Sequence, residues 1–229
     1  MNSRIACMVL GLGAALVFAR EDAVGKRLVN AATTFREIME APDKGIPQAL
    51  LDRSQCAIIV PGMKKVAITV GGEYGRGFAS CRMVTGTWGP PAGIRLVGGS
   101  FGLQLGAQST DVVMLVMNHT GLSKLLSDKF KIGADAAAAA GPIGRSAAAD
   151  TDLLMHAEII SWSRSRGVFA GVSLDGTVVE ADEKTNEELY GKRLNTKEII
   201  QAAVPIPPAA LVLTKVLDQY APPATAKKG

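Results

Sequence analysis

Histidine and aromatic residues are scarce in this 229-residue chain, which holds two histidines and only 5% Phe, Trp and Tyr together. His119 and His156 are therefore the whole supply of imidazole for a nucleophile–base pair, and no serine sits in a G-x-S-x-G elbow. His119 reads as the start of a helix after a buried strand. His156 reads as a charge partner of Glu158. So few aromatics also disfavour a platform on which bases stack. Charge is modest: 25 Lys plus Arg against 21 Asp plus Glu leave +4, far from the profile of a nucleic-acid binder. The three cysteines form no C-x-x-C and no Cys/His cluster, so no metal is expected. Glycine-rich stretches at Gly71–Gly77 and Gly98–Gly102 do not follow G-x-x-x-x-G-K-[ST], and no cofactor is expected. Carboxylates such as Asp111, Asp150, Asp152 and Glu158 could meet in space, but their spacing does not show it. An enzyme is not expected.

Long apolar runs are lacking except at the start. MNSRIACMVLGLGAALVFAR has a short n-region with Arg4, an apolar run from Ile5 to Phe18, and small residues before Ala19. That is the layout of a secretory signal peptide over residues 1–19; a retained anchor is the alternative. Cleavage after Ala19 would leave 210 residues with a net charge of +3, enough for one domain over 20–220 with its own core. APPATAKKG, at 221–229, has the composition of a disordered tail. A periplasmic or secreted location follows. In an oxidising compartment Cys56 and Cys81 could pair; buried free thiols are the other reading.

What is present is a pattern of short strands. Val24, Leu28, Ala31, Phe35 and Ile38 first mark an amphipathic helix over Arg20–Ala41, ended by Pro42. It packs on the domain or lies on a membrane surface. A short helix at Pro47–Arg53 and a strand at Cys56–Val60, closed by Pro61-Gly62, come next. Lys64–Gly72 and Arg76–Val84 then read as a hairpin around Glu73-Tyr74-Gly75. His119–Phe130 reads as a helix. The Ala/Gly stretch Lys131–Ala149 reads as a closely packed segment or a lid. Glu158–Leu174 forms a hairpin turning near Arg166-Gly167, and Asp175-Gly176 is a tight turn into Thr177–Glu180. Helices follow at Asp182–Tyr190, after Asn195 or Thr196, and at Ala209–Tyr220. The fold class is α+β: a curved antiparallel sheet or barrel-like core, with helices packed at the N-terminus, middle and C-terminus.

Gly98–Asn118, GGSFGLQLGAQSTDVVMLVMN, reads as the central hairpin, turning at Ser109-Thr110-Asp111. Val97, Phe101, Leu103 and Leu105 alternate with Ser100, Gly102, Gln104, Gly106 and Gln108. The second half, Val112–Met117, is apolar throughout, as a strand covered on both faces should be. The Gly/Ser/Gln face suits either close packing or the wall of a polar cavity. Ser100, Gln104, Gln108, Arg164 and Arg166 are the cavity-wall candidates, the two arginines as anion contacts or as solvated groups.

At these hairpins the chain resembles the SYLF domain family. The resemblance rests on Gly98–Asn118, SWSRSRGVFAGVSLDGTVV (Ser161–Val179), KKVAITVGGEYGRG (Lys64–Gly77), the Trp88 segment and AAGPIGR (Ala139–Arg145). It implies a non-catalytic domain that binds phospholipids, with phosphoinositides as the ligands of eukaryotic members and actin as a partner of yeast ones. For a secreted bacterial chain it implies a phospholipid or membrane-surface partner, with actin not expected. A structural or protein-interaction module of the envelope is the alternative. By charge, Lys26, Arg27, Arg36, Lys64 and Lys65 are the head-group candidates.

Overall fold

The computed structural model describes residues 23–223 apart from 42–44, 68–69, 102–105, 128, 145–153, 155, 166–167 and 202–203. For 65–67, 70–71, 100–101 and 106–108 it describes the backbone alone. The signal-peptide segment, the tail beyond 223, Leu103, Gln104, Leu105 and Arg166 lie outside the described residues.

Helix α1 (23–40) and α2 (Gln48–Arg53) precede four long strands: β1 (Cys56–Ala67), β2 (Val70–Cys81), β3 (Ala92–Phe101) and β4 (Gly106–Val116). Then come α3 (His119–Leu125), β5 (Lys129–Lys131), β6 (Ala138–Ala140), β7 (Ile159–Ser165), β8 (Val168–Gly171) and β9 (Val178–Ala181). The chain closes with α4 (Glu183–Tyr190), α5 (Thr196–Gln201) and α6 (Leu211–Tyr220). The strands form one nine-stranded sheet, ordered β5-β9-β3-β2-β1-β4-β7-β6 with β8 beside β7. It curls into a half-barrel, and α+β is the fold class. The one departure from an antiparallel sheet is β6, which runs parallel to β7.

Two faces are buried. On one, Val24, Leu28, Ala31, Phe35 and Ile38 of α1 pack with Leu213, Val216 and Leu217 of α6 on Ile59, Phe78, Val113, Leu115 and Trp162. Burying each such large apolar side chain contributes roughly 1.5–3 kcal/mol, which is why the helical stripe read from the sequence is the face that packs. On the other, Ile58, Val60, Ile94, Leu96, Val112, Met114 and Ile159 meet Leu125, Phe130, Ile132 and Val179. The β1 and β4 segments 56–60 and 112–116 are thus covered on both sides, as the unbroken apolar run of β4 required. Cys56 and Cys81 stand opposite each other in the β1–β2 ladder and form a disulfide.

Several expected boundaries move. Pro61-Gly62 does not end a strand: β1 runs through it as a bulge, shifting register between Val60 and Met63. Gly62 takes φ 60° there, and its N–H donates to Asp111 Oδ1 at 2.8 Å. A bulge and a turn share the same glycine chemistry, and here the unbroken ladder on both sides decides for the bulge. The β1–β2 ladder runs on to Ala67 opposite Gly71, leaving Glu73-Tyr74-Gly75 inside β2. Likewise Ser109–Asp111 lies within β4, and among the described residues β3 and β4 are not paired. The β1–β2 hairpin sits between them, so Gly98–Asn118 straddles it instead of forming a hairpin. Val97, expected on the core face, is 37% exposed, because Ile94 and Leu96 supply the apolar face of β3. Phe130 belongs to a strand, since α3 ends at Leu125. The Ala/Gly stretch is close-packed where described: a Cβ on Gly141 would lie 1.9 Å from the Trp162 ring.

Candidate functional site

The outer face of β2 and β3, past the amino end of α1, carries the arrangement with chemical potential. Tyr74 stands directly opposite Val97, and Arg76 opposite Arg95. With a period of two, Tyr74 and Arg76 share a face, as do Arg95 and Val97. Tyr74 is 48% exposed and Val97 37% exposed. Arg76 and Arg95 therefore lie beside these exposed groups on the same face, Arg95 itself exposed and paired with Glu180 at 2.7 Å.

Helix α4 and its cap build the floor. Asp182 ends β9, its N–H donating to Gly93 O at 2.9 Å, and caps α4 by accepting from Thr185 N at 3.2 Å. Its other oxygen accepts from Arg76 Nε at 2.6 Å and from Thr185 Oγ1 at 2.8 Å. Thr185 Oγ1 in turn accepts from Arg76 Nη2 at 2.9 Å and from Arg27 Nη1 of α1 at 3.2 Å. Asp182 and Thr185 are buried. Burial pushes the Asp182 carboxyl upward, but hydrogen bonds from Arg76 and Thr185 outweigh it and hold the group below its ordinary range. The hydrogen bond to Asp182 raises Arg76 despite its burial. Arg27 is lowered, first by burial and then by the positive charge of Arg76.

The other head-group candidates are scattered. Lys26 is exposed and Arg36 half-buried on α1; Lys64 is exposed on β1. Lys65 is placed by its backbone, opposite Glu73 and Gln108. Of the cavity-wall candidates, Ser100 lies opposite Gly71 and Gln108 opposite Lys65. Arg164 is not a solvated group. Its guanidinium donates to Asp111 Oδ2 at 2.7 Å and pairs with Glu37, tying β7 to β4 and α1. That also relocates Asp111, expected to fix a turn, to the hub of a strand bulge and an ion pair. Helix α3 is capped by Asn118, with His119 as its first residue. His119 lines an open groove of about 440 Å³ with Leu122 and Leu126, facing Lys197 and Gln201 of α5. Among the described residues no group of three or more His, Cys, Asp or Glu is placed to hold a metal.

Sequence reasoning singled out Arg27 but missed Arg76, Asp182 and Thr185 as its companions. The only local signal was Asp182 as a helix cap. The joining of α1, β2 and α4 comes from the topology.

A family model described as "Las17-binding protein actin regulator", Ysc84, matches residues 97–220. The chain belongs to this family, the SYLF family. Protein YSC84 of Saccharomyces cerevisiae is 30% identical over 182 residues, covering 78% of this chain and 39% of the relative. LAS seventeen-binding protein 3 of the same yeast is 31% identical over 183 residues, 78% and 39% of the two chains. SH3 domain-containing YSC84-like protein 1 of Homo sapiens is 26% identical over 196 residues, 83% of this chain and 57% of the relative. The chain thus spans from about two fifths to somewhat over half of these relatives. This SYLF chain is a member of a binding and regulatory family. Since the family is described as an actin regulator, the expectation that actin is no partner finds no support in the comparisons. Within the SYLF match fall Asp182, Thr185 and Val97; Arg27, Tyr74 and Arg76 precede it.

Proposed function

We propose that the protein is a non-catalytic phospholipid-binding domain that docks on anionic membrane surfaces. The observation that carries this is the patch of exposed Tyr74 and Val97 backed by Arg27, Arg76 and Arg95. Amphipathic aromatic and aliphatic groups suit the membrane interface, and each cation near an anionic surface adds about 1 kcal/mol. Exposed Lys26 and Lys64 supply further positive charge. Export by the N-terminal signal segment to the periplasm or exterior belongs to the same reading, and the Cys56–Cys81 disulfide agrees with an oxidising compartment. Co-sedimentation with phosphatidylglycerol-containing vesicles, but not with pure phosphatidylcholine, is the test. Binding should weaken as salt rises. Failure to sediment with anionic vesicles at low salt refutes the reading.

A protein-binding module is the second reading. It is favoured by the family description and by two strand edges: β3 pairs with β9 only over Ile94–Val97, and β4 with β7 only over Asp111–Val116. Beyond those limits each has a strand partner on one side only among the described residues, an arrangement that suits strand addition by a protein or peptide. Cross-linking that recovers one protein, with no lipid retained through purification, would favour it.

A further inference from the structure

We propose that Arg27 and Arg76 together form a binding site for a phosphate oxyanion, built before any ligand arrives. This deepens the phospholipid reading and rests on it for the source of the phosphate. Both guanidiniums converge on one oxygen, Thr185 Oγ1, at 3.2 and 2.9 Å. That oxygen is fully used, since it also donates to Asp182. Arg76 spends Nε and Nη2 on Asp182 and Thr185, which leaves Nη1 without a hydrogen bond among the described residues. Among the described residues Arg27 spends Nη1 alone, leaving Nε and Nη2. Planar forks with adjacent free N–H groups are the donors that match phosphate oxygens.

Charge points the same way. Among the described residues Asp182 is the one carboxylate hydrogen-bonded to the pair, and its hydrogen bonds go to Arg76 and Thr185. Among those residues Arg27 donates to a neutral hydroxyl alone, while Asp182 and Glu188 act on it through space. Two half-buried guanidiniums side by side repel each other, and an anion between them removes that cost. Asp182 and Thr185 are held by the α4 cap, so Arg76 is fixed in place before binding. The Arg76 side chain keeps 29% exposure, and Tyr74 beside it is open to solvent, so the site is reachable.

The test uses Arg27→Gln, which removes the free fork without stranding a buried carboxylate, with Arg27→Lys and, at an exposed cation of α6, Lys215→Gln for comparison. Thermal unfolding of the full chain is followed against inorganic phosphate, with chloride at matched ionic strength as the reference, and vesicle co-sedimentation is run in parallel. Wild type and Lys215→Gln should be stabilised by phosphate. Arg27→Gln, folded by circular dichroism, should lose roughly tenfold in apparent phosphate affinity, and Arg27→Lys should retain part of it. A phosphate response in Arg27→Gln equal to wild type, or no response in wild type, overturns the site. A response that depends on Arg27, in a protein that ignores anionic vesicles, keeps the phosphate site and refutes the membrane reading. Vesicle binding unchanged in Arg27→Gln, with its phosphate response also unchanged, does the reverse.

Discussion

Reducing the Cys56–Cys81 disulfide should cost this fold about a quarter to two thirds of a typical domain's stability. The two cysteines are 25 positions apart and lie directly opposite in the β1–β2 ladder. Cross-linking a loop with that separation, 25, removes denatured-state entropy worth about 3.5 kcal/mol at 25 °C. The native side adds little to oppose this, because the ladder already holds the two backbones together. Reduction also removes no atom from the core, so no cavity term enters, unlike a double Cys→Ala variant. Urea unfolding of oxidised and reduced protein, followed by tryptophan fluorescence, reads the difference. With an m-value of about 2.5 kcal/mol/M, the reduced midpoint should fall by roughly 1.4 M. Thiol counting in denaturant must confirm that the oxidised sample holds Cys56 and Cys81 in disulfide form. A midpoint shift below about 0.4 M, with the bond shown to open, would refute the loop argument.

Four further outcomes follow from local surroundings. Gly141→Ala, whose Cβ would lie 1.9 Å from the buried Trp162 ring, should lose roughly 3 kcal/mol or more by overpacking. Gly25→Ala, in α1 with nothing within 4 Å of the new Cβ, should instead gain about 0.5–1 kcal/mol from helix propensity; both are read by urea midpoints. Arg82 donates to the carbonyls of Leu51, Ser54, Gly86 and Ala221 and lies 4.6 Å over Trp88. Arg82→Leu takes the donor from Ser54 O and Gly86 O, while Leu51 O keeps Ser54 and Ala221 O keeps Trp88 Nε1, and should cost about 1–3 kcal/mol, with a changed Trp88 emission. Asp182→Asn leaves Arg76 half-buried without its counter-charge and should cost about 3 kcal/mol at pH 7. Because the folded Asp182 carboxyl is held below its ordinary range, its contribution is fully present above about pH 4 and is lost as pH falls through the lower folded value. Stability against pH should therefore drop less steeply below pH 4 in the variant than in wild type.

How legible each part was depended on how local its cause was. The α1 stripe, the α4 cap at Asp182, and the reciprocal pair in which Asn195 Oδ1 accepts from Glu198 N while Glu198 Oε2 accepts from Asn195 N were all readable. Each is set by residues within a turn or two. Val112–Val116 was readable as doubly covered because burial on both faces removes polar residues from a strand outright. Strand partners were not readable. Hydrophobic alternation fixes which face a residue takes but not which neighbour the strand finds. Ser109-Thr110-Asp111 therefore read the same whether the chain turned there or ran on within a strand paired with β1.

That same step explains why the Arg27–Arg76 pair stayed hidden. Arg27 and Thr185 are 158 positions apart, and Arg76 and Asp182 are 106 apart. No motif spacing can register such distances. They close because β9 pairs with β3 along Ile94–Val97, carrying Asp182 and the start of α4 to Gly93. Had β3 paired with β4 in a hairpin, β4 would occupy the edge of β3 that now holds β2 or β9, and in either case Arg76 would lose its route to Asp182. The positive charge at the amino end of α1 thus depends on the strand order, and disrupting the β3–β9 pairing should dismantle the cluster while leaving every one of its side chains in the sequence.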